Sequence, residues 1–296
     1  MAQQKEELRR GGGQHFVENK PPSYGLSQLI TFFLSVTLMC SLLGIIARNS
    51  FLDKSFTTKE LVTTENVSAL HKGLSASVNS FITSDAGFRL DGDLVTKKQV
   101  KEDLNEAINN VYAGQNKLLA PSKIVGQITD NFMTQARKQG VSTQSEDFLS
   151  YKSNFVAQVE TAINNQINNS LLQKGSSFLQ KAQHIFHNMY LWGIILSLIL
   201  AVLLLIQTRS LFRFSHYTGI AFLLVGLLVW LLVELTKVSG MVDNFAASVG
   251  MYRSFIVDYG TAVISIFDHY ARLYGYIGIF LLGVALVGRL ILKNSF

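Results

Sequence analysis

YLWGIILSLILAVLLLIQTRSLFRFSHYTGIAFLLVGLLVWLLVEL, residues Tyr190 to Leu235, decides how this chain folds. It holds two apolar runs, Leu191 to Ile206 and Thr218 to Leu235, split by the basic segment Thr208-Arg209-Ser210-Leu211-Phe212-Arg213. With its flanks, each run approaches the roughly 20 apolar residues that a helix needs to cross a hydrocarbon core about 30 Å thick. In lipid every backbone amide must find its partner inside the chain, so the pair predicts a transmembrane helical hairpin. Arg209 and Arg213, with no acid beside them, put the tip of that hairpin in the cytoplasm. The expected sidedness of everything else follows from this tip.

Working outward, two further runs have spanning length. Leu26 to Ala47 (LSQLITFFLSVTLMCSLLGIIA) exceeds the 7–15 residues or so of a signal-peptide apolar region and lies well inside the chain. It reads as an uncleaved signal-anchor; cleavage would leave three spans. Leu273 to Leu292 (LYGYIGIFLLGVALVGRLIL) is the last span, and Gly275, Gly278, Gly283, Ala285 and Gly288 give it small side chains for close helix approach. The predicted spans are therefore 26–47, 190–207, 217–236 and 273–292. A polar tail (1–25), a short loop (208–216) and the terminal residues 293–296 are placed in the cytoplasm.

Between the first and second spans, residues 48–189 turn polar and take on helical spacing. Val67, Leu70, Leu74, Val78 and Phe81/Ile82 recur between about Thr57 and Thr83. A capping box, Thr96-x-x-Gln99, precedes Val100, Leu104, Ala107/Ile108 and Val111. Pro121 can open a third helix carrying Ile124, Ile128, Phe132 and Ala136, and Gly140 can stop it. The fourth stretch carries Tyr151, Phe155, Val159, Ile163, Ile167 and Leu171. A helix from Glu146 to Gly175 would be roughly 45 Å long, leading into the second span through a joint at Gly175-Ser176-Ser177. The expected fold is an all-α membrane protein: four transmembrane helices, with a helical-bundle extracytoplasmic domain between the first and second.

The segment 237–272 is too polar to span, yet Phe245, Val249, Tyr252, Phe255, Tyr259, Val263, Phe267 and Tyr270 keep a helical period. Because it starts and ends at the same membrane surface, it must lie along the interface or fold back, with Gly250 or Gly260 as the break. An interfacial helix and a helix packed on the exported bundle both fit.

Composition narrows the function classes. Only 16% of the 296 residues are charged and 48% are hydrophobic, against about 25% charged in soluble domains. The net charge of +6 is scattered, without the basic stripe or interleaved aromatics of a nucleic-acid surface. The single cysteine, Cys40, sits inside the first span. A large exported domain without cysteines points to a bacterial cell surface rather than a eukaryotic secretory route. The sequons at Asn66 and Asn168 then read as chance matches.

Candidate chemistry is sparse. His184 and His187 stand at i and i+3, two ligands where a structural zinc site needs four, and Tyr190 and Trp192 beside them suit a wetted membrane boundary. Asp91-Gly92-Asp93 lacks the spaced oxygens and terminal glutamate of a calcium loop and reads as a turn. There is no phosphate-binding loop, nucleophile elbow or metalloprotease motif. No catalytic, cofactor-binding or metal-binding residue is assigned. Glu234 and Arg289 lie near span ends, and the span centres are uncharged, unlike those of an ion-coupled carrier.

The expectation is a non-enzymatic multi-pass protein of the plasma membrane, both termini cytoplasmic. Its exported bundle would bind or sense an envelope partner or ligand and act through a membrane complex or self-association. The plan of four spans, a large first exported loop and cytoplasmic ends resembles, in topology only, the FtsX-type permeases of the ABC class. That resemblance implies a transport-complex subunit coupled to an ATPase, and the loop near Arg209 carries no matching motif.

Overall fold

A computed structural model of the chain describes residues 24–82, 93–115, 119–167, 170–248 and 252–294. Every element among them is a helix. The four apolar runs form α1 (Tyr24–Arg48), α7 (Ser170–Thr208), α8 (Leu211–Val238) and α10 (Arg253–Asn294), and each is long and apolar enough to cross a membrane. Between α1 and α7 lie α2 (Lys54–Leu61), α3 (Thr64–Asn79), α4 (Lys97–Tyr112), α5 (Pro121–Lys138) and α6 (Glu146–Ile167). The short α9 (Met241–Ala247) joins α8 to α10.

The spanning helices pack as two pairs, α7 with α1 and α8 with α10, joined where α1 meets α8. Lipid supplies no apolar driving force between helices, so close backbone approach at small residues holds such pairs together. A Cβ on Gly193 of α7 would lie 2.7 Å from the backbone nitrogen of Ser41 in α1. A Cβ on Gly226 of α8 would lie 2.7 Å from the nitrogen of Gly275, and one on Gly278 of α10 would lie 2.7 Å from that of Leu223. Leu34, Leu38, Leu42 and Ile46 of α1 fill the centre against Leu204, Val225, Val229 and Tyr274. Ser197 donates to Thr37 Oγ1 across the first pair at 2.9 Å. Of the small residues expected to serve the last span, Gly278 faces α8, whereas Gly283 meets open space.

The polar domain has its own core. Phe132 of α5 is fully buried and stacks on Phe155 at 4.6 Å and on Phe148 at 5.7 Å, both from α6. Val67, Val78, Val100, Val125, Val159 and Ile163 complete it from α3, α4, α5 and α6. The local signals act as read: Thr96 and Gln99 form a reciprocal capping box, Pro121 opens α5, and Gly140 at φ +73° lies just beyond its end.

Four boundaries differ from the sequence reading. The stretch expected as one helix from Thr57 is two, because Thr63 leaves the helical conformation and its hydroxyl accepts from Asn66 N at 3.1 Å to start α3. The joint expected at Gly175 is absent: α7 runs through Gly175-Ser176-Ser177, and α6 ends at Ile167. The loop expected over 208–216 contracts to Arg209-Ser210, with Arg209 at φ +48° making the turn. In the segment 237–272 the described helices are interrupted at Gly240, φ +58°, and again between Ala247 and Arg253, whereas Gly260 lies inside α10, where its missing side chain admits Val242.

The last correction changes the architecture. At 42 residues, α10 is about 63 Å long at 1.5 Å per residue, roughly twice a hydrocarbon core. The segment does not lie across the spans. It folds back through α9 and returns as a collinear extension of the fourth span, packed on α8 and α2. Asp268 and Arg272, which made it look separate from the span, pair within α10 at 2.6 Å. Asn66 is fully buried, with its amide turned to Glu60 O at 3.4 Å, so it is a packing residue and not a glycan acceptor. The polar tail up to residue 23, Asp91-Gly92, Asn168-Asn169 and Gly250 lie outside the described residues.

Candidate functional site

The polar domain meets the spanning helices at a short stretch of chain, residues 49–53. Leu52 N bonds back to Ala47 O at 3.0 Å and Asp53 N to Ser50 O at 2.9 Å, while the buried Ser50 hydroxyl donates to Ile46 O at 2.6 Å. Asp53 then caps α2 by accepting from Ser55 N at 2.7 Å. α1 thus passes into α2 through a turn whose backbone groups are largely bonded.

Three hydroxyls converge on this turn. Tyr112, at the end of α4, donates to Phe51 O at 2.7 Å. Its proton is thereby committed, because a carbonyl can only accept. Thr57 must then donate to the Tyr112 oxygen at 2.6 Å, and Tyr259 of α10 must donate to Thr57 Oγ1 at 2.9 Å. The result is a directed chain: Tyr259, Thr57, Tyr112, Phe51 carbonyl. Burial pushes the Tyr112 hydroxyl well above its ordinary range, so it stays a neutral donor at physiological pH. Around the relay, Phe56 packs on the Tyr259 ring, Phe51 on Phe186 of α7, and the Arg48 guanidinium sits 5.6 Å over the Tyr190 ring. Asn49 donates to the Tyr270 hydroxyl at 2.8 Å, a second tie between the end of α1 and α10. The junction therefore gathers α1, α2, α4, α7 and α10.

Above it, the polar domain holds an apolar cleft of about 160 Å³ lined by Leu70, Leu74, Leu104, Ile124 and Ile163, with Gln99, Asp103 and Gln127 as polar groups. Tyr252, immediately before α10, forms part of the wall. Lys123 lies 3.1 Å from Asp103 and also bonds Glu106, which holds its ammonium above the ordinary lysine range. One residue at the head of α10 thus lines the cleft, and another, Tyr259, closes the relay below it.

The residues singled out from sequence lie elsewhere. His184 and His187 are exposed on α7, and among the described residues no group of three metal-ligating side chains forms around them. Asp93 lies 3.7 Å from His71, whose ring bonds Val95 O at 2.8 Å. Glu234 pairs with Lys237 at 2.9 Å. Thr57, Tyr112, Tyr252 and Tyr259 were not singled out for a site. Only Tyr252 and Tyr259, seven residues apart on one helix face, left a trace, as part of an apolar stripe. Comparison of the chain with family models, with curated proteins and with solved structures finds no match.

Proposed function

We propose that this is a non-enzymatic, multi-pass protein of the plasma membrane, its termini in the cytoplasm and its α2–α6 domain exported. That domain binds an envelope partner or ligand, and the membrane helices carry the consequence to a membrane complex. One observation supports this most: α10 runs unbroken from Arg253, next to Tyr252 in the cleft wall, past the Thr57 relay, into the last span. Anything that shifts the cleft against Tyr252 acts on one continuous helix. Arg209 and Arg213 at the opposite end of the hairpin favour a cytoplasmic tip by the positive-inside tendency. The alternative, a subunit of an ABC-type transport complex, rests on topology and gains no further support from the fold.

The test uses the full chain with Cys40 replaced by serine, extracted in mild detergent. Single cysteines at exposed positions of the α3–α6 surface are crosslinked before extraction. A discrete partner or a homo-oligomer recovered through that surface is the expected result. Recovery of monomer alone from every position overturns the reading.

A further inference from the structure

At the end of the spans away from the relay, α8 and α10 enclose a pocket of about 450 Å³. Arg213 and His216 line it from α8 and Arg289 from α10, with Ser210 at the turn. The Phe212 ring lies over Gly288, where a Cβ would force that ring to move, so the glycine brings the end of α10 close to α8 beside Arg289. The pocket carries no negative charge of its own. The sequence holds no Asp or Glu from residue 161 to 233 and none after Asp268, and no ion pair engages Arg213 or Arg289 among the described residues. Two guanidiniums beside a hydroxyl and an imidazole match a phosphate, which arginine binds in bidentate fashion.

His216 and Tyr217 also belong to a second, larger groove of about 660 Å³ that runs up the membrane between α1 and α8. Its walls are mainly apolar: Phe32, Val36 and Met39 on one side and Ile220, Leu224 and Leu228 on the other, with Gln28, Thr31 and Ser35 among them on α1. Arg213, Tyr217, Ile220, Leu224 and Leu228 follow one another at three or four residues, so a single face of α8 passes from charge to hydrocarbon. A free phosphate uses only the lower pocket. A molecule with an anionic head and long acyl chains uses both.

We infer that this continuous site holds an anionic phospholipid, its phosphate between Arg213 and Arg289 and an acyl chain in the α1–α8 groove. Basic pockets between spanning helices bind such headgroups, with each cationic side chain contributing about a fivefold gain in affinity. The inference does not depend on what the α2–α6 domain binds.

The experiment takes the full-length protein, delipidated in detergent, and titrates it with dioleoylphosphatidylglycerol or dioleoylphosphatidylcholine while native mass spectrometry counts retained lipids. Phosphatidylglycerol should be retained in preference. Arg213→Gln should weaken that retention about fivefold and the Arg213→Gln/Arg289→Gln pair about thirtyfold. Arg209→Gln removes an exposed charge at the same membrane face but outside the pocket, and should have no such effect. Val36→Trp should obstruct the groove and weaken retention with both arginines in place. Equal loss from Arg209→Gln, no loss from Val36→Trp, or full displacement by water-soluble glycerol phosphate overturns the proposal. So does a co-purifying protein, rather than lipid, that the arginine substitutions release.

Discussion

Tyr259 of α10 donates its hydroxyl proton to Thr57 of α2 across 2.9 Å, joining residues 202 positions apart. That bond ties the head of a spanning helix to the first turns of the polar domain. Because Thr57 passes its own proton to Tyr112, neither tyrosine can lose Thr57 without losing part of the relay.

Thr57→Val keeps the shape of the side chain and removes the hydroxyl. The half-buried Tyr259 hydroxyl then lacks its acceptor, at a cost of about 1–3 kcal/mol. Hydrogen exchange of residues 51–61 should accelerate while that of α5 and α6 stays unchanged. Tyr112→Phe should act in the same direction by orphaning the Phe51 carbonyl, and unchanged exchange in both variants would remove the relay as a structural link.

Phe132→Ala empties the centre of the polar domain, where the ring stacks on Phe148 and Phe155. Truncations of this kind cost about 3–5 kcal/mol. Exchange protection across α5 and α6 should collapse, whereas α8 and α10, which share no core residue with it, should keep theirs.

Gly226→Leu and Gly278→Leu each drive a side chain into the facing backbone at 2.7 Å. Both should lower the melting temperature of the full-length protein in detergent and open the α8–α10 pair. Gly283→Leu, on the same helix but facing open space, serves as the matched control and should leave it unchanged. If all three behave alike, the glycine seam is not what holds the pair.

Gln99→Ala should destabilise the start of α4 more than Thr96→Ala, which costs about 1 kcal/mol as a lost cap. The Gln99 carbonyl oxygen accepts from Thr96 N at 3.1 Å and also from Asn131 of α5 at 3.0 Å. Removing it breaks the cap and a bond between two helices. Exchange in the first turn of α4, compared between the two variants, decides the order.

Features that act within a few residues were readable in the chain. The capping box at Thr96, Pro121 at a helix start, Gly140 beyond a helix end and the four apolar runs needed no knowledge of tertiary contacts. The errors have other causes. The apolar spacing of Val67, Leu70 and Leu74 stops at Thr63 and Thr64, which stand three and four residues before Val67, and Thr63 is the residue that caps α3. Gly260 looked like a break because glycine often is one; its role is to admit Val242, a contact spacing cannot show. Asp258, Asp268 and Arg272 made the start of α10 look unlike the span that follows, although helix continuity depends on backbone bonds and not on polarity. The relay lay furthest out of reach, since Thr57 meets partners 55 and 202 residues away.

The pairing of α1 with α7 has a consequence for how the protein is made. Gly44 and Ser41 on α1 are shaped to receive Tyr190 and Gly193 on α7, but α7 begins only at Ser170. At about 5–20 residues per second, roughly ten seconds of synthesis separate the two. Throughout that interval the α1 seam is uncovered while α2 to α6 are synthesised behind it. A nascent chain halted before Ser170 would therefore carry α1 and the polar domain with the α1 seam open, and arrival of α7 is the event that closes it.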